Sequence, residues 1–314
     1  MIDLKRIEEN LKVIPAHSTV IIGCSGGADS TFLTYICAKL LSAQKTTVVL
    51  AHINHNLRAQ ESQKDEEFVI GLGAHLKLKV EVESAHFAQF TEEKGRKARF
   101  AFFEKCLKKH KAKYILLAHH SDDNTETILM NFIRGTGLTG LQGIKLQKKC
   151  ILRPLLHLSK KEITDYLKKH KIKYREDASN LSNEYTRNFY RNQVIPLLKE
   201  KNPQLNQNLQ KTAQNFAEIE DFMQETAQNW LKTNLKGTSY DIKSFRLQKP
   251  ALQKEILRQL HKKTMGHLQE LESKHLQEIL EFLTNSHSGK RKNLGKWVEI
   301  SIKDKTFNIR ALRP

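Results

Sequence analysis

The sequence predicts an α/β protein: a parallel sheet with helices on both faces, then a helical linker and a small α+β C-terminal domain. Three observations carry this expectation. Short apolar runs alternate strictly with stretches of helical periodicity through the first half of the 314-residue chain, as in a sheet buried on both faces. A glycine-rich turn separates the first run from its helix. Past Pro154 the alternation stops and amphipathic helices take over.

In order, a short first helix is followed by strands expected at 19–23, 47–53, 77–82 and 113–118, with helices at 31–43, 61–75, 91–110 and 123–134. A looser region runs to Pro154. Helices at 160–171 and 187–199 flank a loop, 177–185, too long and polar to be a simple connector. The stretch 203–232 repeats apolar or small residues at helical spacing, from Leu205, Leu209 and Ala213 to Ala227 and Trp230, and reads as a linker. Two further helices, 250–263 and 273–283, and a strand pair, 297–302 with 306–309, make the small domain. The expected organisation is 1–200, 201–235 and 236–314.

With 53 Lys+Arg against 34 Asp+Glu, the formal charge is +19, and both parts of the chain are basic. A large polyanion such as RNA or DNA suits that balance better than a small acidic ligand. The lysine-rich stretches 105–113 and 160–173 interleave apolar residues, so they read as helix faces. Cys24, Cys37, Cys106 and Cys150 form no C-x-x-C pair, which argues against a disulfide framework and a zinc knuckle and suits a reducing compartment. The charged start, residues 1–13, and the lack of any apolar stretch of spanning length predict a cytoplasmic protein with no membrane association.

In parallel sheets, ligands sit beyond the carboxyl ends of the strands. Three segments should therefore converge: 24–30, 52–58 and 119–126. In the first, Gly26 and Gly27 let the backbone turn its N–H groups toward an anion at the positive end of the next helix. Ser25 and Ser30 add hydroxyls, and Asp29 a carboxylate for magnesium. No Gly-Lys-Ser/Thr closes the turn, so the lysine of a Walker loop is missing. In the second, His52, Asn54 and His55 suit adenine or ribose, and Arg58 a phosphate. Zinc at His52 and His55 would lack a third ligand. In the third, Asp123 and Glu126 share one helix face and could receive a cation together, although Asp122 and Asp123 also read as ordinary helix-start residues. The glycines after Arg134 permit a tight turn near the nucleotide.

The run SGGADS at 25–30 resembles the signature of the ATP pyrophosphatase, or PP-loop, family, whose fold is the adenine nucleotide alpha-hydrolase-like sheet. HINHNLR at 52–58, LLAHHSDDNTET at 116–127, RGTGLTGL at 134–141 and Arg153-Pro154-Leu155-Leu156 narrow the resemblance to the tRNA(Ile)-lysidine synthase family. So do the segment 177–188, Arg191 and Pro196. The blocks cover about residues 20–200, and the C-terminal part matches in layout only; the length is similar to the family's short form.

That resemblance implies an ATP-dependent, magnesium-assisted ligation. ATP adenylates the C2 oxygen of the wobble cytidine (position 34) in a CAU-anticodon tRNA(Ile), releasing pyrophosphate. The ε-amine of free L-lysine then displaces AMP, which switches decoding from AUG to AUA. Carried onto this chain, Ser25, Gly26, Gly27, Ala28, Asp29 and Ser30, with His52 and His55, would hold ATP, and Asp29 its magnesium. Asp123 and Glu126 would bind lysine. Asp29, Arg96, Arg99, Asp123 and Glu126 would form the catalytic set, and Arg58, Arg134, Arg187, Asn188 and Arg191 would meet tRNA. Gly95 and Phe100 depart from the family's alanine and tyrosine, so a tyrosine hydroxyl is lost. The oligomeric state is left open, a homodimer included.

Three rivals compete. A tRNA thiolase of the same superfamily needs paired cysteines or an iron–sulfur cluster; an ammonia-using amide synthetase leaves the positive charge unexplained. A non-catalytic RNA-binding module leaves Asp29, Asp123 and Glu126 at expected strand ends without a task.

Overall fold

The computed structural model describes residues 2–56, 59–176, 186–266, 271–294 and 298–312. The chain divides into two compact units, 1–214 and 215–314.

The first unit opens with α1 (Leu4–Leu11), whose first turn is capped by the Asp3 carboxylate accepting from Arg6 N at 3.1 Å. Next come β1 (Thr19–Gly23), α2 (Ala28–Ser42), β2 (Thr47–Asn54), α3 (Ala59–Leu76), β3 (Lys79–Ser84), α4 (Glu92–Lys109), β4 (Tyr114–Leu116) and α5 (Ser121–Ile133). The region expected to be loose holds α6 (Leu138–Leu141), β5 (Gln147–Lys148) and β6 (Ile151–Leu152). Then follow α7 (Lys160–Lys169), α8 (Thr186–Phe189), a π-helical turn (Tyr190–Val194), α9 (Ile195–Lys201) and the start of α10 (Leu205–Thr233).

The six strands lie in the order β3-β2-β1-β4-β6-β5, parallel except for β5, which returns antiparallel along β6. Side chains of the central strands alternate between two cores, which is why each strand reads as a continuous apolar run. Val20, Ile22, Val48, Leu50 and Leu116 join Phe32, Leu33, Val69, Ile163 and Leu167 on one face. Ile21, Val49, Ala51, Ile115 and Leu117 meet Phe102, Phe103 and Cys106 of α4 on the other. Each fully buried β1 side chain contributes about 1.5–3 kcal/mol. Gly23 ends β1 as glycine because α4 leaves no room: a Cβ there would lie 2.7 Å from Phe103 Cζ and 2.9 Å from Leu117 Cδ2.

Among the described residues β3 pairs on one side only, with β2, and it carries charge. Glu81 accepts from Lys109 Nζ at 2.7 Å and sits 2.9 Å from His110 Nε2, while Glu83 accepts from Lys105 Nζ at 2.8 Å.

The second unit begins within α10 and adds β7 (Leu235–Lys236), β8 (Ser239–Asp241), α11 (Ile242–Arg246), α12 (Pro250–Met265), α13 (Ser273–Asn285), β9 (Arg291–Leu294), β10 (Val298–Lys303) and β11 (Thr306–Ala311). Its sheet is antiparallel, in the order β7-β8-β11-β10-β9. The expected strand pair is thus the centre of a larger sheet. Trp230, Tyr240, Phe245 and Phe307 are core residues, and the Trp230 indole donates to Ser244 Oγ at 3.1 Å. Among the described residues, no helix is long and apolar enough to cross a membrane.

Candidate active site at the carboxyl rim of the sheet

Because β1, β2 and β4 run parallel side by side, the segments that follow them share one rim. The turn after β1 is built from neighbours in sequence. Gly26 holds φ +84°, a left-handed conformation that glycine adopts freely. Ser25 N donates to Ser30 Oγ at 3.1 Å, Thr31 Oγ1 donates to the Gly26 carbonyl at 3.1 Å, and the two serine hydroxyls stand 3.2 Å apart. Gly27 is the N-cap of α2 and offers no side-chain cap, so the first-turn amides keep their capacity for an anion. The helix starts three residues earlier than expected, which puts Ala28, Asp29 and Ser30 in its first turn. Arg175 stitches the turn from outside: its N donates to the Gly26 carbonyl at 2.9 Å, and its guanidinium bonds Asp65 and Glu61 on α3.

Beside this turn, His52 Nδ1 lies 2.9 Å from the Cys24 carbonyl and its buried Nε2 has no partner among the described residues. Asn54 ties the end of β2 to Glu66 at 2.9 Å. His55 sits against Phe87 and Phe90, with ring centroids 5.8 and 6.0 Å away, and its Nδ1 is also without a described partner. Burial first, then the charges of Arg99 and His52, hold the His55 imidazole below its ordinary pKa. Gly95 makes this corner possible, because a Cβ there would come within 2.7 Å of the Phe90 ring. Arg58 lies outside the described residues, as do loop 177–185 and Trp297.

The rim after β4 is assembled from distant segments. His120 is the N-cap of α5, and its N donates to Asp123 Oδ2 at 3.0 Å. Its ring lies 3.7 Å from Asp29, 3.6 Å from Asp122 and 3.5 Å from Asp123. Burial pulls the His120 pKa down, but the three carboxylates outweigh it and the net shift is upward. His119 goes the other way, pulled to about 4 by burial against the attraction of Asp123. Asp122 bonds Lys199 Nζ, Asn206 Nδ2 at 3.0 Å and Lys160 N at 2.8 Å; together with His120 these overcome burial and hold its carboxyl far below the ordinary range. Asp123 is lowered too, burial being outweighed by the two histidines first.

Glu126 is 1% exposed, and both its oxygens are engaged. Arg187 Nε donates at 2.7 Å, while Arg191 donates from Nε at 2.6 Å and from Nη2 at 3.0 Å, its Nη2 also reaching Asp123 at 3.3 Å. Both arginines belong to the α8 and π-helical segment, whose lengthened turn stands where one continuous helix is expected. Asn188 shares α8.

Asp29, His120, Asp122, Asp123, Glu126, Arg187 and Arg191 thus form one connected cluster beside the β1 turn. Arg134 does not join it: it caps the far end of α5, about 20 Å along a 13-residue helix, and is exposed. Arg96 is exposed and lies over the Phe100 ring within α4, 5.7 Å from its centroid, and the charge of Arg99 acts on the His55 imidazole. Sequence reasoning missed Lys160, Lys199, Asn206 and Arg175. Lysines in a lysine-rich helix face carry no signal of their own, and only the fold brings them to the rim. Arg153, which opens the Arg153-Pro154-Leu155-Leu156 motif, is buried and donates to the Lys145 carbonyl at 2.9 Å.

A sheet of this topology with a glycine-serine turn after its first strand defines a PP-loop domain, and the model of that family matches residues 2–198. The tRNA(Ile)-lysidine synthase of Bacillus cereus (strain ZK / E33L) is 36% identical over 290 residues, which cover 86% of this chain and 60% of that protein. The one of Bacillus subtilis (strain 168) is 35% identical over 244 residues, or 73% and 52%. That of Chlorobaculum tepidum is 35% identical over 230 residues, 70% of each chain. The chain belongs to the tRNA(Ile)-lysidine synthase family of PP-loop proteins, and it spans about 60% of the length of the Bacillus cereus relative. Among solved structures, the U34-tRNA thiolase of Methanococcus maripaludis with its [4Fe-4S] cluster superposes with a TM-score of 0.58 at 14% identity, covering 68% of this chain and 77% of that one; the likeness is one of fold.

Proposed function

We propose that this protein joins free L-lysine to C2 of the wobble cytidine of a CAU-anticodon tRNA(Ile) at the expense of ATP. The observation that carries the reading is the meeting, at one rim, of an uncapped anion cradle and a buried carboxylate, Glu126, already holding cationic side-chain groups. In the first step the cytidine C2 oxygen attacks the α-phosphorus of ATP, the bond to the β-phosphate bridge breaks, and pyrophosphate leaves. In the second the neutral ε-amine attacks C2, the C2–O bond breaks, AMP departs with that oxygen, and the amine loses a proton.

The Ser25–Ser30 turn would hold the phosphates, and His52 with His55 would flank the adenosine. The Asp29 carboxylate accepts Lys160 Nζ at 2.8 Å, so it already serves as a cation site and fits a magnesium ion. That ion would supply charge neutralisation on the phosphates. Asp123 and Glu126 would receive the lysine, while Arg96 and Arg99 would meet developing phosphoryl charge. Arg134, Arg187, Asn188 and Arg191 would touch the tRNA, with Arg187 and Arg191 exchanging carboxylate for phosphate or base. The second unit would grip the tRNA through phosphate contacts, and a tRNA substrate would place the protein in the cytoplasm.

A sulfur-relay reading finds no support in the buried thiols. Cys24, Cys37 and Cys106 are buried, and burial raises each thiol above its ordinary pKa, Cys106 to about 11.

The test is mass analysis of nucleosides from CAU-anticodon tRNA(Ile) incubated with the protein, ATP and lysine. The wobble cytidine should gain the mass of lysine minus water. An unmodified cytidine, or ADP as the nucleotide product, would overturn the reading.

A further inference from the structure

The SGGADS turn carries no lysine, yet an ammonium stands at its mouth. Lys160, 131 positions from Asp29 in sequence, brings Nζ to 2.8 Å from both Oδ1 and Oδ2 of Asp29. The fold fixes the base of this side chain firmly. Lys160 is the first residue of α7, where Ser159 and Glu162 form a reciprocal capping box, and its own N donates to Asp122 Oδ2 at 2.8 Å. Farther along α7, Ile163 and Leu167 are fully buried, and Tyr166 packs edge-on against Phe32 of α2 with centroids 5.1 Å apart. The side chain, in contrast, is 46% exposed and keeps the freedom to swing.

Electrostatics gives that freedom a purpose. Asp29 shares the rim with Asp122 and Asp123, and Lys160 balances part of this charge. A magnesium ion on Asp29 would release the ammonium, and it would neutralise only part of the triphosphate it accompanies. Lysine is a compact charge on a flexible stem, suited to following phosphate oxygens. We propose that Lys160 is a nucleotide-binding residue, held by Asp29 through its ammonium and turning to the triphosphate when ATP and its metal enter. It supplies from a remote helix the cation that the turn itself lacks. The inference rests on the reading of the rim as an ATP site.

The experiment measures binding of magnesium with α,β-methylene-ATP to the full chain by calorimetry, without tRNA or lysine. Lys160→Met should weaken binding by roughly ten- to a hundredfold, the loss of one charge-assisted hydrogen-bonding group. Lys160→Arg should restore most of the affinity. Lys161→Met should match the wild type, because Lys161 is paired with Asp165 at the surface. In turnover, Lys160→Met should raise the KM for ATP and leave the KM for lysine in place. Affinity of Lys160→Met equal to the wild type, or tighter, overturns this inference alone; tighter binding would make Lys160 only a stand-in for the metal. A wild-type chain that fails to bind the nucleotide overturns both this inference and the ATP site on which it rests.

Discussion

The two halves of the rim are built in opposite ways. The turn after β1 is made from adjacent residues and presents helix amides with no side-chain cap. The start of α5 has its three carboxylates already engaged, by groups lying 38 to 84 positions away for Asp122 and 61 to 65 for Glu126. An anion can settle into the first without displacing a protein group. A substrate ammonium reaching Glu126 must take the place of a guanidinium. Local chemistry therefore makes a receptive site, and long-range assembly makes one that binds by exchange.

The sharpest way to break this contrast is Asp29→Ala, which removes the cation site at the junction of the two halves. Turnover, read as pyrophosphate release, should fall by about a thousandfold or more, the scale of losing a preorganised charge contact. Near-normal release would detach Asp29 from the chemistry. A smaller effect is expected from Glu126→Gln. It should raise the KM for lysine by roughly thirtyfold, leave nucleotide affinity unchanged, and lower stability in urea by about 2 kcal/mol. That cost lies below the range for a fully buried pair because the Arg187 and Arg191 side chains keep 31% and 34% of their surface exposed. An unchanged lysine requirement would move substrate binding elsewhere.

The mildest effect is on pH. The His120 pKa is raised above its ordinary 6.5, so its pairing with Asp29, Asp122 and Asp123 is fully present below that value and is lost as pH rises through the elevated one. Asp122, depressed from 3.8, contributes above that value and loses its contribution only as pH falls through its lower one. Melting temperatures of the wild type and of His120→Asn, followed from about pH 5 to about pH 9, should converge at the alkaline end. A constant gap would show that the His120 charge carries no stability.

The same division explains what was legible in the sequence. The central strands announce themselves because both faces are buried, and the β1 turn does because glycine and serine spacing is local. The start of α2 is misread by three residues, since Ala28, Asp29 and Ser30 look like loop when their helix is capped by glycine. β5, β6, β7 and β9 are too short or too polar to register, Arg291–Leu294 showing no apolar alternation. The π-helical turn leaves no periodic mark in the segment 187–199, yet it helps carry Arg191 to Glu126. Lys160 and Lys199 look like any solvated helix lysine until folding sets them against Asp29 and Asp122.

The charged border of β3 has a consequence beyond this chemistry. An unpaired strand is a template on which another chain can continue the ladder. Here Glu81 and Glu83, tied down by Lys105, Lys109 and His110, put a fence of ions along that template. A concentrated solution, or a crowded ribosome-rich cell, would find little there to zip onto.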